Sequence, residues 1–148
     1  MTFIDGLGNA DSMPTLGAAL GFSASRQPII ADNIANLTTP NYRPKDVSIG
    51  DFQETLRGAI RERRERWGGM RGSLNIRRTN EVSQDDSGAL HLTPRETGRN
   101  VLFHDRNDRD LERSMQDLAE NVAYFRVMTD LMRSRVRMLN SAIREQVA

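Results

Sequence analysis

The chain has 148 residues and a mass of 16.7 kDa, the length of one domain. Hydrophobic residues make up 37% and aromatic residues 5%, which argues against a large close-packed core. With 21 basic residues against 20 acidic ones, uniform polyanion binding is not the default. There is no cysteine, and His91 and His104 are the only histidines. Disulfides, thiolate metal centres and thiol nucleophiles are thereby excluded, and two histidines are too few for a His-rich metal cluster. No cofactor and no metal are expected.

Residues 1–11 read as a flexible N-terminus. They lack the basic n-region and apolar stretch of a Sec signal. No run in the chain approaches the ~18–20 apolar residues that span a bilayer. Residues 12–39 read as a helix, because Leu16, Leu20, Ser23, Gln27, Ile30, Ile34 and Leu37 alternate in steps of four and three. Pro14 suits the first turn, with Ser12 or Asp11 as its cap. Gly17 and Gly21 lower helix propensity, and the Pro28 ring is set to clash with the carbonyl of Ala24. A kink or break is therefore predicted near 24–28. Pro40 ends the helix by Thr39, and Thr39-Pro40-Asn41-Tyr42 forms a turn in which Asn41 takes a positive φ.

Residues 40–104 form the middle segment. Phe52, Leu56 and Ile60 predict a short helix ending near Trp67-Gly68-Gly69. From Arg57 to Arg78 there are eight arginines against Glu62 and Glu65, a local charge of +6. This run reads as a solvated helix face, as a surface for an acidic protein, cell-wall or lipid partner, or as a nucleic-acid contact. For the last of these only Trp67 offers stacking. Residues 68–100 are rich in Gly, Ser, Thr, Asn and Asp, with strand-like pieces at Ser73–Arg77 and Ala89–Leu92. The segment is expected to be a poorly packed insertion holding a β-hairpin.

Residues 105–148 carry the most regular pattern. Leu111, Met115, Leu118, Val122, Phe125, Thr129, Met132, Val136, Leu139 and Ile143 alternate by four and three with no Pro or Gly between them. That is a sustained heptad, so a coiled-coil-type helix is predicted. Asp105, Asn107, Asp108 and Asp110 crowd its start, and Arg133, Arg135, Arg137 and Arg144 its far end, as the helix dipole favours. Beside the seam runs a second stripe of Tyr124, Met128, Leu131, Met138 and Ala142, interrupted by Arg135. It reads either as one wide face of a helical bundle or as a separate seam for neighbouring subunits.

Catalytic patterns are few. The nucleophile-elbow, P-loop, dinucleotide and HExxH signatures are all missing. Glu62/Glu65 and Asp85-Asp86 sit in polar stretches with nothing to raise a pKa, and neither histidine has an evident carboxylate partner. An enzyme is not expected.

The string Ala31-Asp32-Asn33-Ile34-Ala35-Asn36, followed by Thr39-Pro40-Asn41-Tyr42, resembles the N-terminal signature of bacterial flagellar rod and hook proteins. The short length, and the segment from Asp105 through Leu111, Met115, Leu118 and Asn121, are similar to the FlgB (proximal rod) type. The likeness covers residues 24–48 and 103–145. Asn41 stands where the family usually has Gly, and Arg106 and Arg109 replace small and apolar residues.

The resemblance implies a mainly α fold, with long N- and C-terminal helices paired as a coiled-coil-like inner domain and a partly irregular middle segment. It implies a structural rod subunit at the basal body, on the periplasmic side of the inner membrane. Such a subunit packs helically around the export channel, links the membrane ring to the distal rod, and leaves by type III export without a cleaved signal. Its partners would be itself, other rod subunits, membrane-ring and export-gate proteins, with no nucleic acid. Leu16, Leu20, Ile30, Ile34 and Leu37 would pair with the 111–143 seam, leaving Tyr124, Met128, Leu131 and Met138 for adjacent subunits. Asn33, Ile34, Asn36, Thr39, Pro40 and Tyr42 form the axial motif, and Phe3-x-x-x-Leu7 resembles an export-gate element. The alternatives are another short rod subunit or a dimeric coiled-coil regulator that binds nucleic acid through the arginine run.

Overall fold

A computed structural model describes residues 12–69, 71–97 and 111–147. Phe3, Leu7, His104 and the Asp105–Asp110 helix start lie outside the described residues. In chain order the elements are α1 (Met13–Ala35), β1 (Lys45–Asp46), α2 (Ile49–Trp67), β2 (Val82–Gln84), β3 (Leu90–Leu92), β4 (Arg95–Glu96) and α3 (Leu111–Val147). The fold is mainly α, with long helices toward both ends and a small hairpin in the middle.

α1 starts at Pro14 in its first turn and ends at Asn36. It runs through Pro28 without interruption, so the predicted break does not occur. Pro28 and Ala24 both lie on the exposed side of the helix. The Ala24 carbonyl that loses its amide partner can therefore be hydrated. The turn that follows closes through Tyr42 N–H donating to the Thr39 carbonyl at 3.2 Å. Asn41 has φ 62°, the left-handed conformation that Asn tolerates better than most side chains.

α2 is capped at both ends. The Ser48 hydroxyl accepts from the Asp51 N–H at 3.2 Å, and Gly68 closes the helix in the left-handed region at φ 67°. One face, Phe52, Leu56, Ala59 and the stem of Arg63, is buried. It meets Ala18 and Phe22 of α1 together with Val47, Leu74, Ile76, Val82 and Leu90. The Phe22 and Phe52 rings stack with centroids 4.0 Å apart and planes 7° from parallel, a contact adding about 0.5–1.5 kcal/mol beyond burial.

The middle segment is therefore not a poorly packed insertion; it supplies most of the hydrophobic core. Its hairpin uses Leu90–Leu92 from the expected Ala89–Leu92 piece, but the Ser73–Arg77 piece is not part of it. β2 pairs antiparallel with β3, Val82 opposite Leu92 and Gln84 opposite Leu90, while Ser73–Arg77 joins no ladder. Leu74 and Ile76 still alternate inward. The period-2 pattern reported burial on one face and said nothing of backbone pairing. Lys45–Asp46 and Arg95–Glu96 form a second two-stranded pair, which ties the start of the middle segment to its end.

Candidate functional site

α1 and α3 pack against one another. Ser23 lies opposite Asn121 and Arg26 opposite Asp117, so residue numbers rise along one helix as they fall along the other: the pair is antiparallel. Continuing that register puts Met13 near position 131. α3 has 37 residues and α1 has 23, about 55 Å and 35 Å at 1.5 Å per residue. The last four or so turns of α3 thus extend past the described start of α1.

The contact between the helices is polar at its centre. The Ser23 hydroxyl donates to Asn121 at 3.1 Å, toward both its main-chain carbonyl and its side-chain Oδ1. Asn121 Nδ2 donates back to the Ser23 carbonyl at 3.0 Å. Ser23 is 0% and Asn121 4% exposed, so the hydrogen-bonding capacity of both side chains is spent inside the interface.

One turn on, the buried Arg26 forks onto Asp46, Nε to Oδ1 at 2.8 Å and Nη2 to Oδ2 at 2.5 Å. Its Nη2 also lies 3.7 Å from Asp117 on α3. Burial opposes the charge on Arg26. The hydrogen bond and charge of Asp46, with Asp117 and Glu120 beyond it, more than offset that and hold its pKa above the ordinary guanidinium value. Burial pushes the Asp117 carboxyl up despite the nearby arginine. Arg26 thereby joins α1, β1 and α3 at one point.

The predicted seam residues are distributed unevenly. Ile30 is buried, and Leu16, Leu20, Ile34 and Leu37 are half-buried. On α3, Leu118, Val122, Phe125, Thr129, Met132 and Leu139 are half-buried, while Leu111, Met115, Val136 and Ile143 are exposed. Gln27, which falls within the 4-3 pattern, is exposed. The buried residues of α1 are Ala18, Ala19, Phe22, Ser23, Arg26 and Ile30. The stripe containing both contacts to α3 thus runs 19-23-26-30, one residue off the predicted 20-23-27-30. Arg26 and Asn121 were missed because a charged and an amide side chain break an apolar pattern. Their only sequence signal is that Arg26 keeps four-three spacing with Ala19, Ser23 and Ile30.

Of the second stripe, Leu131 and Met138 are exposed and Met128 is half-buried. Tyr124 lines a small groove with Phe22, Ile49 and Phe52, and burial raises its pKa. The exposed apolar side chains Val127, Leu131, Val136, Met138 and Ile143 extend to the far end of α3.

The axial-motif residues form one hydrogen-bonded cluster around the end of α1. Asn33 Nδ2 donates to the Lys45 carbonyl at 2.7 Å, and its Oδ1 accepts from the Lys45 N–H and the Tyr42 hydroxyl, both at 3.0 Å. Asn33 thus presents its amide to β1 as a neighbouring strand would. Asn36 Nδ2 donates to the Asp32 carbonyl at 2.9 Å, and its Oδ1 accepts from the Thr39 hydroxyl at 3.2 Å. Ile34 takes the Leu37 N–H on its carbonyl at 3.3 Å. Pro40 sets the φ of the turn that brings Tyr42 back.

His91 does have a carboxylate partner, contrary to expectation. The β2–β3 turn brings Asp85 Oδ2 to 3.2 Å from its Nε2. The Asp85 carboxyl is held down at about 2, chiefly by the Ser87 hydroxyl, then by His91 and the Ala89 and Ser87 amides. The pair is exposed on a hairpin tip. A groove of about 520 Å³ runs between the β1/β4 pair and the start of α3 and carries both signs, Arg26, Arg95 and Arg113 against Asp46, Glu81 and Asp117. Among the described residues no group of three metal-ligating side chains converges, and no described helix is long and apolar enough to cross a membrane.

The geometry is that of a helix-pairing module. No protein-family model matches the chain. Among curated proteins it is similar to the flagellar basal body rod protein FlgB of Salmonella typhimurium, 30% identical over 119 residues, covering 80% of this chain and 83% of that one. It is 28% identical over 124 residues to the FlgB of Borrelia hermsii, covering 80% of this chain and 85% of the relative. The FlgB of Yersinia ruckeri is 25% identical over 130 residues, with coverage of 86% and 89%. Identity and coverage at this level, over a fold with long helices at both ends, show that the chain belongs to the FlgB family of flagellar basal body rod proteins.

Proposed function

We propose that the protein is a structural, non-catalytic subunit of the proximal rod, whose α1–α3 pair forms the inner unit of a helical wall around the export channel. In this reading α3 presents two seams, one to α1 and one to adjacent subunits. The wall joins the membrane ring to the distal rod on the periplasmic side of the inner membrane. The subunit is exported without a cleaved signal, with Phe3 and Leu7 as the gate-recognition element. Rod, ring and export-gate proteins are its partners.

One observation carries this reading: the apolar side chains left uncovered along α3. Val127 is 53%, Leu131 47% and Met138 59% exposed, and each large apolar side chain contributes about 1.5–3 kcal/mol once buried. A stripe of this kind favours association. Contacts between different faces of successive copies build a filament rather than a closed dimer. The axial-motif cluster fixes the direction in which the chain leaves α1.

Leu118→Asp and Leu131→Asp separate the two seams. Leu118→Asp is expected to unfold or unpair the helices, read by circular dichroism. Leu131→Asp is expected to leave a folded subunit that is secreted but absent from isolated basal bodies. Equal unfolding in the two variants would remove the two-seam arrangement.

A further inference from the structure

We propose that the basic face of α2, with Trp67 at its end, is a docking surface for an anionic phospholipid bilayer. This goes beyond the rod assignment and does not depend on it. Arg57, Arg61 and Arg64 follow i, i+4, i+7 spacing and so share one stripe, away from the buried face of Phe52, Leu56 and Ala59. All three are exposed, and none pairs with a described carboxylate. Arg66, by contrast, is bound to Glu62 at 2.7 Å, and the buried Arg63 donates to the Gly72 carbonyl at 2.9 Å. Arg71, Arg77 and Arg78 add exposed positive charge on the segment that follows.

The occupant is anionic and is not the α3 stripe of a second copy of this chain. Among the described side chains, the exposed apolar stripe of α3 is itself flanked by Arg126, Arg133, Arg135, Arg137 and Arg144 against Asp130, so it would repel the α2 face. Trp67 decides between a bilayer and an acidic protein. It is 62% exposed, yet its ring lies against Gly72, where an added Cβ would come within 2.7 Å of Cδ1. The indole is therefore held out at the end of α2, next to Arg63 and Arg66 and one turn on from Arg64. An amphipathic indole sits well at the headgroup level, and guanidinium forks match phosphate oxygens. Salt bridges to an acidic protein would leave the indole without a function.

Trp67 is the single tryptophan of the chain, so its emission reports docking without a label. The full-length protein is titrated with vesicles of phosphatidylcholine mixed with phosphatidylglycerol, and with phosphatidylcholine alone, at low and at physiological salt, with co-sedimentation in parallel. A blue shift with the anionic vesicles only, weakened by salt, is expected. Arg57→Gln/Arg61→Gln/Arg64→Gln should keep its circular dichroism and lower partitioning on the order of 100-fold, at about fivefold for each arginine near an anionic surface. Failure to bind anionic vesicles, equal binding to neutral ones, or binding unchanged in the triple variant would overturn the proposal. So would a shift with polyglutamate but not with vesicles, which would assign the face to an acidic protein.

Discussion

The Ser23–Asn121 pair makes a quantitative prediction. Ser23→Ala removes a hydroxyl that is 0% exposed and leaves Asn121 Oδ1 buried without that donor. Asn121→Ala removes the 3.0 and 3.1 Å side-chain bonds together. A net contribution of about 1 kcal/mol per bond, plus the cost of a stranded polar group, puts each single change near 2 kcal/mol. For a chain of this length that lowers the melting temperature by about 4–8 °C. Because the two side chains bond reciprocally, the second substitution has little left to break. The double variant should cost about 2–3 kcal/mol rather than about 4, a coupling of about 1–2 kcal/mol. Urea unfolding followed at 222 nm gives all four corners of the cycle. Additivity within about 0.3 kcal/mol would refute the reasoning, because side chains that do not touch do not couple.

Two other contacts give further outcomes. Arg26→Met strands Asp46 and should cost about 3 kcal/mol, at the low end for breaking a buried ion pair, since Asp46 keeps 19% exposure and still accepts from the Val47 N–H. Arg26→Lys should recover only part of this in the same unfolding assay, because an ammonium cannot fork onto both oxygens. At the hairpin tip, the Asp85 carboxyl is held at about 2, below its ordinary range. Its contribution to stability is therefore complete above about pH 4, the unfolded value, and is lost as pH falls through about 2. Carboxyl NMR titration should find that low value, and Ser87→Ala should raise it.

How much of this was legible in the sequence differs by element. The two long helices announced themselves by four-three spacing, and α2 by Phe52, Leu56 and its Gly68 stop. Asn41 was readable because few other residues take its backbone conformation. What escaped was whatever depends on contacts distant in sequence. The core under α2 draws on Leu74, Ile76, Val82 and Leu90; the first two and the last fall in the strand-like pieces, but nothing in a Gly- and Ser-rich stretch said that they fold back onto α2. The polar centre of the helix pair runs against the apolar rule by which seams are found, so Arg26 and Asn121 fell outside the predicted seams although they make contacts that fix register. Pro28 misled in the opposite direction. The clash of its ring with the Ala24 carbonyl predicts a break, yet the helix continues, and at this exposed position water can take the place of the lost amide donor. His91 and Asp85 are six residues apart, but only the turn makes them neighbours.

The central claim is that the outer stripe of α3 is free in the subunit and covered in the rod. The chain has no cysteine, so Met138→Cys provides a unique thiol at a position 59% exposed in the single chain. Maleimide labelling of this variant, secreted and purified on the one hand and in intact basal bodies on the other, tests the claim directly. The two-seam arrangement predicts rapid labelling of the free subunit and strong protection in the basal body, reversed when the rod is dissociated. Equal labelling in both states would show that this face of α3 is not where rod subunits meet.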